Sequence, residues 1–298
     1  MKHSNVIRGY IYVIASAFVF GCMPLGAKLI YAEGMNSLSL VFLRNLFALP
    51  ALAILVKLQG QSLKISWKAL PGISLIAVMG CCVTPLLLYS AYGYIASGTA
   101  TVFHFIYPAA VVLGGMLFLR EKVDKKRILC VLICTAGICM FYTPGEPINP
   151  MGAALALLSG ITYAAYILLL AVLQNKEVSG FRFTFYIAVV CAVVMFFVCL
   201  FTGNLTVPTS LKGWLLCAVF SLAVCVGAVV LFQQGTFLIG AQRSAILSTV
   251  EPITSIFVGV IVFAEPMGLQ TLIGSVLVVL ASILIAVFDM KGQKKEAV

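Results

Sequence analysis

TPGEPINP, Thr143–Pro150, is a proline-rich break in a chain that is otherwise apolar almost from end to end. Three prolines in eight residues remove three backbone donors, so no regular helix runs through them. Upstream lie five apolar runs: Tyr10–Leu29, Leu38–Val56, Leu70–Tyr89, Thr99–Leu119 and the shorter Ile128–Tyr142. Downstream lie five more: Met151–Leu173, Phe181–Phe201, Gly213–Phe232, Ser244–Phe263 and Leu269–Phe288. A helix needs about 20 apolar residues to cross the hydrocarbon core. Backbone groups in lipid must be satisfied within the segment, so each run reads as a transmembrane helix. A membrane barrel would instead give short alternating segments.

Five is an odd number, so a second half that repeats the first must sit upside down relative to it. The sequence carries traces of such a repeat. A shift of 144 places Pro108 on Pro252, Gly115 on Gly259 and Glu121 on Glu265. A shift of 143 places Gly9 on Gly152 and Ser16 on Ser159. The expectation is an all-α membrane protein of ten transmembrane helices, arranged as two inverted five-helix repeats. Residues 1–143 form the first repeat, 144–150 an outer linker, and 151–298 the second repeat with a basic tail. Inverted repeats are a transporter architecture, in which exchange of two equivalent faces gives alternating access.

Composition agrees. Of the 298 residues, 62% are hydrophobic and 9% charged, far below the quarter or so that a soluble surface needs. The net charge of +10 sits in short loops. With the N-terminus inside, sixteen Lys and Arg flank the inner ends of the spans and two, Lys28 and Lys212, the outer ends. That asymmetry predicts a multi-pass protein of the cell membrane with both termini cytoplasmic, its basic loops attracted to anionic lipid. No aromatic residues interleave the charges, so nucleic acid is not an expected partner. The first apolar run lacks a small-residue cleavage site and reads as a retained helix. All ten cysteines fall inside apolar runs without a CxxC, and behave as small hydrophobes. Neither a metal site nor a cofactor is expected.

Four stretches carry a resemblance. They are Leu40-Val-Phe-Leu-Arg-Asn-Leu-Phe-Ala48, Tyr107-Pro-Ala through Leu119-Arg-Glu-Lys122, Gly152-Ala-Ala-Leu-Ala-Leu-Leu-Ser159, and Val250-Glu-Pro through Phe263-Ala-Glu-Pro266. In order and spacing the chain resembles the drug/metabolite transporter superfamily and, within it, the EamA-type ten-helix family. Ala264 stands where that family's pattern usually has Gly. The resemblance implies a basket around a central cavity, lined mainly by the third, fourth, eighth and ninth helices. It also implies efflux of small metabolites, often amino acids.

Polar residues inside spans mark the candidate site. Ser244, Ser248, Glu251, Ser255 and Gly259 recur at helical spacing on the ninth span. A carboxylate deep in a bilayer needs a partner, a cavity or a proton, and Glu251 reads equally well as a cavity residue or as a protonated structural acid. The repeat maps the stripe onto Ala100, His104, Tyr107, Val111 and Gly115 of the fourth span, so His104 and Tyr107 are expected to approach Ser248 and Glu251. Histidine titrates near neutrality, which makes protons a candidate coupling ion, although a helix–helix hydrogen bond is the plainer role for His104. Arg44 is the one basic residue inside a span. It either attracts a substrate carboxylate or snorkels and caps nearby carbonyls. Tyr163 and Tyr166 lie too deep for an interfacial belt and read as cavity wall or packing. The substrate-binding candidates are thus His104, Tyr107, Ser248, Glu251, Tyr163, Tyr166 and Arg44.

Two other classes compete. A lipid or isoprenoid-carrier flippase would want a groove open to lipid, whereas an enclosed polar cavity argues for a solute. An intramembrane enzyme would need grouped chemistry, yet the chain has two histidines, one of them His3 in the tail, and no HExxH or phosphate loop. No catalytic residue is expected. The charge asymmetry predicts that reporter fusions after Lys68 and after Pro147 give opposite signals, inside and outside; matching signals would overturn the topology.

Overall fold

The structure is a computed structural model, and it describes residues 3–95, 97–120, 125–140, 149–173, 180–263 and 268–296. Most of the proline-rich linker, together with Glu121, Glu265 and Pro266, lies outside the described residues. So do the side chain of Ser255 and the surroundings of Gly259. The described residues are mostly helical, without strands.

The chain begins with α1 (His3–Gly21) and α2 (Met23–Ala32), which meet just before Pro24. α3 (Ser37–Leu58) starts where the Asn36 side chain accepts a hydrogen bond from the backbone of Ser39, at 2.8 Å. α4 (Leu70–Ala77) and α5 (Thr84–Ala91) are joined by a π-helical segment, Val78–Val83. α6 (Ser97–His104), α7 (Tyr107–Phe118) and α8 (Lys125–Cys139) complete the first half. α9 (Pro150–Val172) opens the second, capped by Asn149 with proline in its first turn. α10 (Phe181–Thr202) ends on Gly203, whose φ of 64° suits a residue without Cβ. α11 (Leu211–Ser221) and α12 (Val229–Ile239) are joined by a second π segment, Leu222–Ala228. α13 (Ala241–Leu247), α14 (Val250–Phe263) and α15 (Leu269–Glu296) finish the chain.

Six stretches among the described residues are long and apolar enough to cross a membrane: Asn5–Ala32, Ser37–Leu58, Leu70–Ala91, Pro150–Val172, Phe181–Thr202 and Leu211–Ile239. The expected fourth and ninth spans are absent from that set because each is broken. Proline lacks the N–H that an interior position requires, and its ring collides with the carbonyl four residues back. For Pro108 that carbonyl belongs to His104, and for Pro252 to Ser248. The helices stop at His104 and Leu247 and restart at Tyr107 and Val250. The expected fifth span is the 15-residue α8, and the expected tenth lies within the 28-residue α15.

Irregularities recur at matching places. The two π segments begin 144 residues apart, at Val78 and Leu222. Close contacts recur too. α1 packs on α12, where Gly9 lies directly against Ile239. α5 packs on α9, where Gly152 lies against Ile95. A shift of 143 carries Gly9 to Gly152, and one of 144 carries Ile95 to Ile239. α8 packs on α15, and α3 on α10. The last pair runs antiparallel. At one end Asn36 Nδ2 donates to the carbonyl of Asn204 at 2.7 Å; at the other the Tyr186 hydroxyl donates to Leu63 and Arg182 to Ser62.

Large apolar side chains face outward all round, Phe18, Leu117, Phe201 and Ile261 among them, while Ser16, Asn45, Thr84 and Thr162 are buried between helices. That distribution suits lipid as solvent. A Cβ on Gly152 would stand 2.8 Å from Tyr94 Cβ, so something must move, whereas one on Gly72 meets nothing nearer than 3.8 Å. Gly152→Ala is therefore expected to destabilise the protein by about 1–3 kcal/mol as over-packing. Gly72→Ala is expected to be neutral or slightly stabilising. Thermal unfolding of both variants in detergent checks the contrast; equal effects would contradict the packing.

Candidate functional site

A cavity of about 530 Å³, open space included, lies among the spans that carry the breaks and the π turns. Its wall takes Arg44 from α3, Gly80 and Cys81 from the first π segment, Thr84 and Leu88 from α5, and His104 from α6. Tyr163 and Tyr166 come from α9, Val229 from α12 and Glu251 from α14. Phe20 and Met23 close it from the first span.

Glu251 stands in the first turn of α14, where the positive end of the helix dipole favours a carboxylate. It is 8% exposed, and no hydrogen bond or ion pair from its carboxylate to another described residue is found. Its backbone N–H donates to the carbonyl of Ser248 at 3.0 Å, which caps the broken turn.

Arg44 does not snorkel. It is 4% exposed and held inside, its Nη1 donating to the Tyr89 hydroxyl at 2.9 Å and its Nη2 to the Cys81 carbonyl at 3.2 Å. The guanidinium also lies 5.7 Å from the centre of the Tyr89 ring. Two neutral acceptors inside the bundle remove the need to reach the surface. Tyr89, which closes its span like a belt residue, is buried for the same reason.

Tyr107 and Ser248 meet across the fourth and ninth spans at 2.7 Å. The Ser248 hydroxyl donates to the carbonyl of Ser244 at 2.8 Å, so the Tyr107 hydroxyl is the donor in the pair. Both are fully buried, behind the cavity wall rather than on it. His104 turns instead to Ser159, with Nδ1 and Oγ 2.8 Å apart. Because Ser159 donates to the Ala156 carbonyl at 2.6 Å, Nδ1 carries the proton and Nε2 is left as an acceptor. The rings of His104, Tyr107 and Tyr163 pack within 4.8–5.4 Å of one another, and Tyr163 stacks on Tyr166 at 5.6 Å.

Of the seven candidate residues, five thus line one cavity and two form the hydrogen bond behind it. The neighbours that sequence reasoning passed over are Gly80, Cys81, Thr84 and Thr162. Gly80 has no side chain because the Tyr166 ring lies directly on its backbone. The Thr84 hydroxyl donates to the Met79 carbonyl, five residues back in the π turn, at 2.7 Å, and meets Thr162 at 2.8 Å. Pro85, one residue on, was the available signal, since a proline inside a span leaves carbonyls needing such partners.

Comparison with known proteins supplies the family. The chain belongs to the EamA-like transporter family, which it matches over residues 7–143 and 150–287, once in each half. It is 24% identical over 293 residues to the "Uncharacterized transporter YcbK" of Bacillus subtilis (strain 168), covering 92% of this chain and 91% of that one. An "Uncharacterized transporter" of Archaeoglobus fulgidus is 26% identical over 154 residues, 52% of this chain and 54% of the relative. A second from the same organism is matched over 62% of its length, so the chain spans little more than half of these two relatives. A solved structure described as "Crystal structure of protein" superposes with a TM-score of 0.75 at 16% identity, covering 95% of this chain and 98% of that one. That likeness concerns the fold. Family and relatives point to a multi-pass membrane transporter rather than an enzyme.

The Tyr107–Ser248 bond ties the two broken spans together, so Tyr107→Phe and Ser248→Ala should be coupled. A double-mutant cycle on unfolding in detergent is expected to give about 1 kcal/mol of interaction. A value near zero would mean that the bond does not form.

Proposed function

Taking that family membership as the premise, we propose that the chain is a secondary transporter that exports small metabolites such as amino acids by alternating access, with protons as the coupling ion. The observation that carries the proposal is that Arg44 and Glu251, two buried groups of opposite charge, face one cavity without pairing with each other. Unpaired charge at membrane depth is costly, and it persists where it serves a ligand or an ion path. The acid-bearing and base-bearing walls suit a zwitterion, and Tyr163, Tyr166, Phe20 and Met23 suit its apolar part.

In this reading ten spans form two inverted repeats, residues 1–143 and 151–298, with both termini in the cytoplasm. The antiparallel run of α3 against α10 supports the inversion, since these are the second spans of the two halves. The matched breaks and π turns support it as well. The site lies where broken helices meet, as in other inverted-repeat transporters. Tyr107 and Ser248 hold the fourth and ninth spans in register around it, and His104 ties the fourth span to the sixth. Rocking of one repeat against the other would expose the cavity to each side in turn. The alternative of a lipid-carrier flippase is less well supported, because Arg44 and Glu251 are both buried between helices.

Glu251 is the residue on which proton coupling would run. Its carboxylate has no hydrogen-bond or ion-pair partner among the described residues, so a proton or a substrate cation can take the site in turn. Glu251→Gln keeps the shape and removes the exchangeable proton. In proteoliposomes loaded with labelled amino acids, the variant is expected to lose export driven by a pH gradient, by tenfold or more as an order of magnitude. Exchange of labelled for unlabelled substrate without a gradient should persist. Full pH-driven export by the variant would exclude the coupling role, and a wild-type protein that moves no amino acid would exclude the substrate class.

A further inference from the structure

Arg44 touches one π turn and the residue that leads into the other. Its Nη2 donates to the carbonyl of Cys81 inside Val78–Val83, and its own carbonyl accepts from the hydroxyl of Ser221, the residue that leads into Leu222–Ala228. The helix that carries it is fixed along its length against α10. Yet the guanidinium is poorly satisfied. Both of its acceptors, the Tyr89 hydroxyl and the Cys81 carbonyl, are neutral, and Nε is buried with no acceptor at all. No ion pair of Arg44 is found among the described residues. Arg44, Gly80 and Cys81 all line the cavity.

A carboxylate is the ligand that such a group lacks. Nε and Nη2 form one edge of the guanidinium fork, and a carboxylate takes two parallel N–H bonds from that edge. Charge-assisted bonds of this kind are roughly twice as strong as neutral ones, so a carboxylate that turns the fork toward itself takes Nη2 out of reach of the Cys81 carbonyl. The carbonyl released lies in a π turn, whose wider hydrogen bonding is a local strain within an α-helix.

We propose that Arg44 is an anion-operated latch, in which a substrate carboxylate in the cavity draws Nη2 from the Cys81 carbonyl and frees the turn Val78–Val83 to change register. The latch rests on the reading above that substrate enters this cavity. It adds what the occupied site does to the chain. Because α3 stays fixed on α10, the freed turn lets the third span move relative to the second, and binding is linked to rearrangement at one residue. Arg44 is then both a contact for the substrate and a positioning residue for the turn.

Amide hydrogen exchange of the full chain in detergent tests this, read by mass spectrometry on peptides covering Val78–Val83. The probes are an equimolar mixture of the twenty amino acids and the corresponding mixture of their C-terminal amides, which lack the carboxylate. The amino acids are expected to speed exchange in Val78–Val83 by about fivefold, the equilibrium factor of one lost neutral hydrogen bond. The amides should leave it unchanged. Arg44→Gln is expected to abolish the response; if that variant does not fold, Arg44→Lys keeps the charge, lacks the fork, and should also fail to respond. Equal action of the amides, or a response that survives in the arginine variants, overturns the latch. So does transport of amino acids by the wild-type protein in liposomes with no change of exchange in this turn, which leaves the transporter reading intact. Neither transport nor any change of exchange would strike down both.

Discussion

In hydrocarbon there is no water to satisfy a loose carbonyl or N–H, so every break in a helix must be repaired by protein. Among the described residues the chain breaks its helices five times around one cavity: at Cys22, at Phe105 and Ile106, at Ser248 and Thr249, and in the π turns Val78–Val83 and Leu222–Ala228. The repairs are specific. Thr84 serves the Met79 carbonyl, Arg44 serves Cys81, and the backbone of Glu251 serves Ser248. The same repairs bring polar side chains to the middle of an otherwise apolar bundle. The cavity and its chemistry are thus consequences of where prolines and π turns interrupt the helices.

The cavity's charge is the second consequence. A buried ion pair repays part of its desolvation through mutual attraction, whereas separated charges each bear the cost alone. Arg44 offsets it with two neutral acceptors and the Tyr89 ring. Glu251 offsets it with the first turn of α14 and space beside it. Neither arrangement is as favourable as a direct pair would be. The structure accepts that instability at one place and is closely packed elsewhere, as the glycine contacts at Gly9 and Gly152 illustrate.

The two halves share a scaffold but not a chemistry. A shift of 144 sets His104 against Ser248, Tyr107 against Glu251 and Arg44 against Ala188. Backbone features such as the prolines and the onset of the π turns keep their places, because packing between equivalent helices constrains them in both halves. Side chains facing the cavity are free of that constraint and have diverged. Two halves that match the same family therefore hold a polar interior of unlike side chains, with Arg44 from the first half and Glu251 from the second.

The sequence by itself determined the all-helical membrane character, because 62% hydrophobic residues in runs of span length leave the chain no other solvent. It also determined which residues deserved scrutiny. A lone arginine, glutamate or histidine inside an apolar run is conspicuous without any coordinates, and the shift of 144 set His104 and Tyr107 opposite Ser248 and Glu251. It did not determine whether the broken spans would be continuous, since one proline can bend a helix or end it depending on what receives the freed carbonyl. It did not predict the π turns, the first of which holds ordinary residues such as Gly80 and Cys81, packed against Tyr166 and bonded to Arg44. Nor did it place Arg44 in the interior. A long cation near a span end reads as snorkelling until a tyrosine from another helix is seen to hold it. Which distant partners Arg44, His104 and Tyr107 found was decided by tertiary structure alone, because those partners lie 37 to 177 residues away along the chain and proximity in space has no local signature.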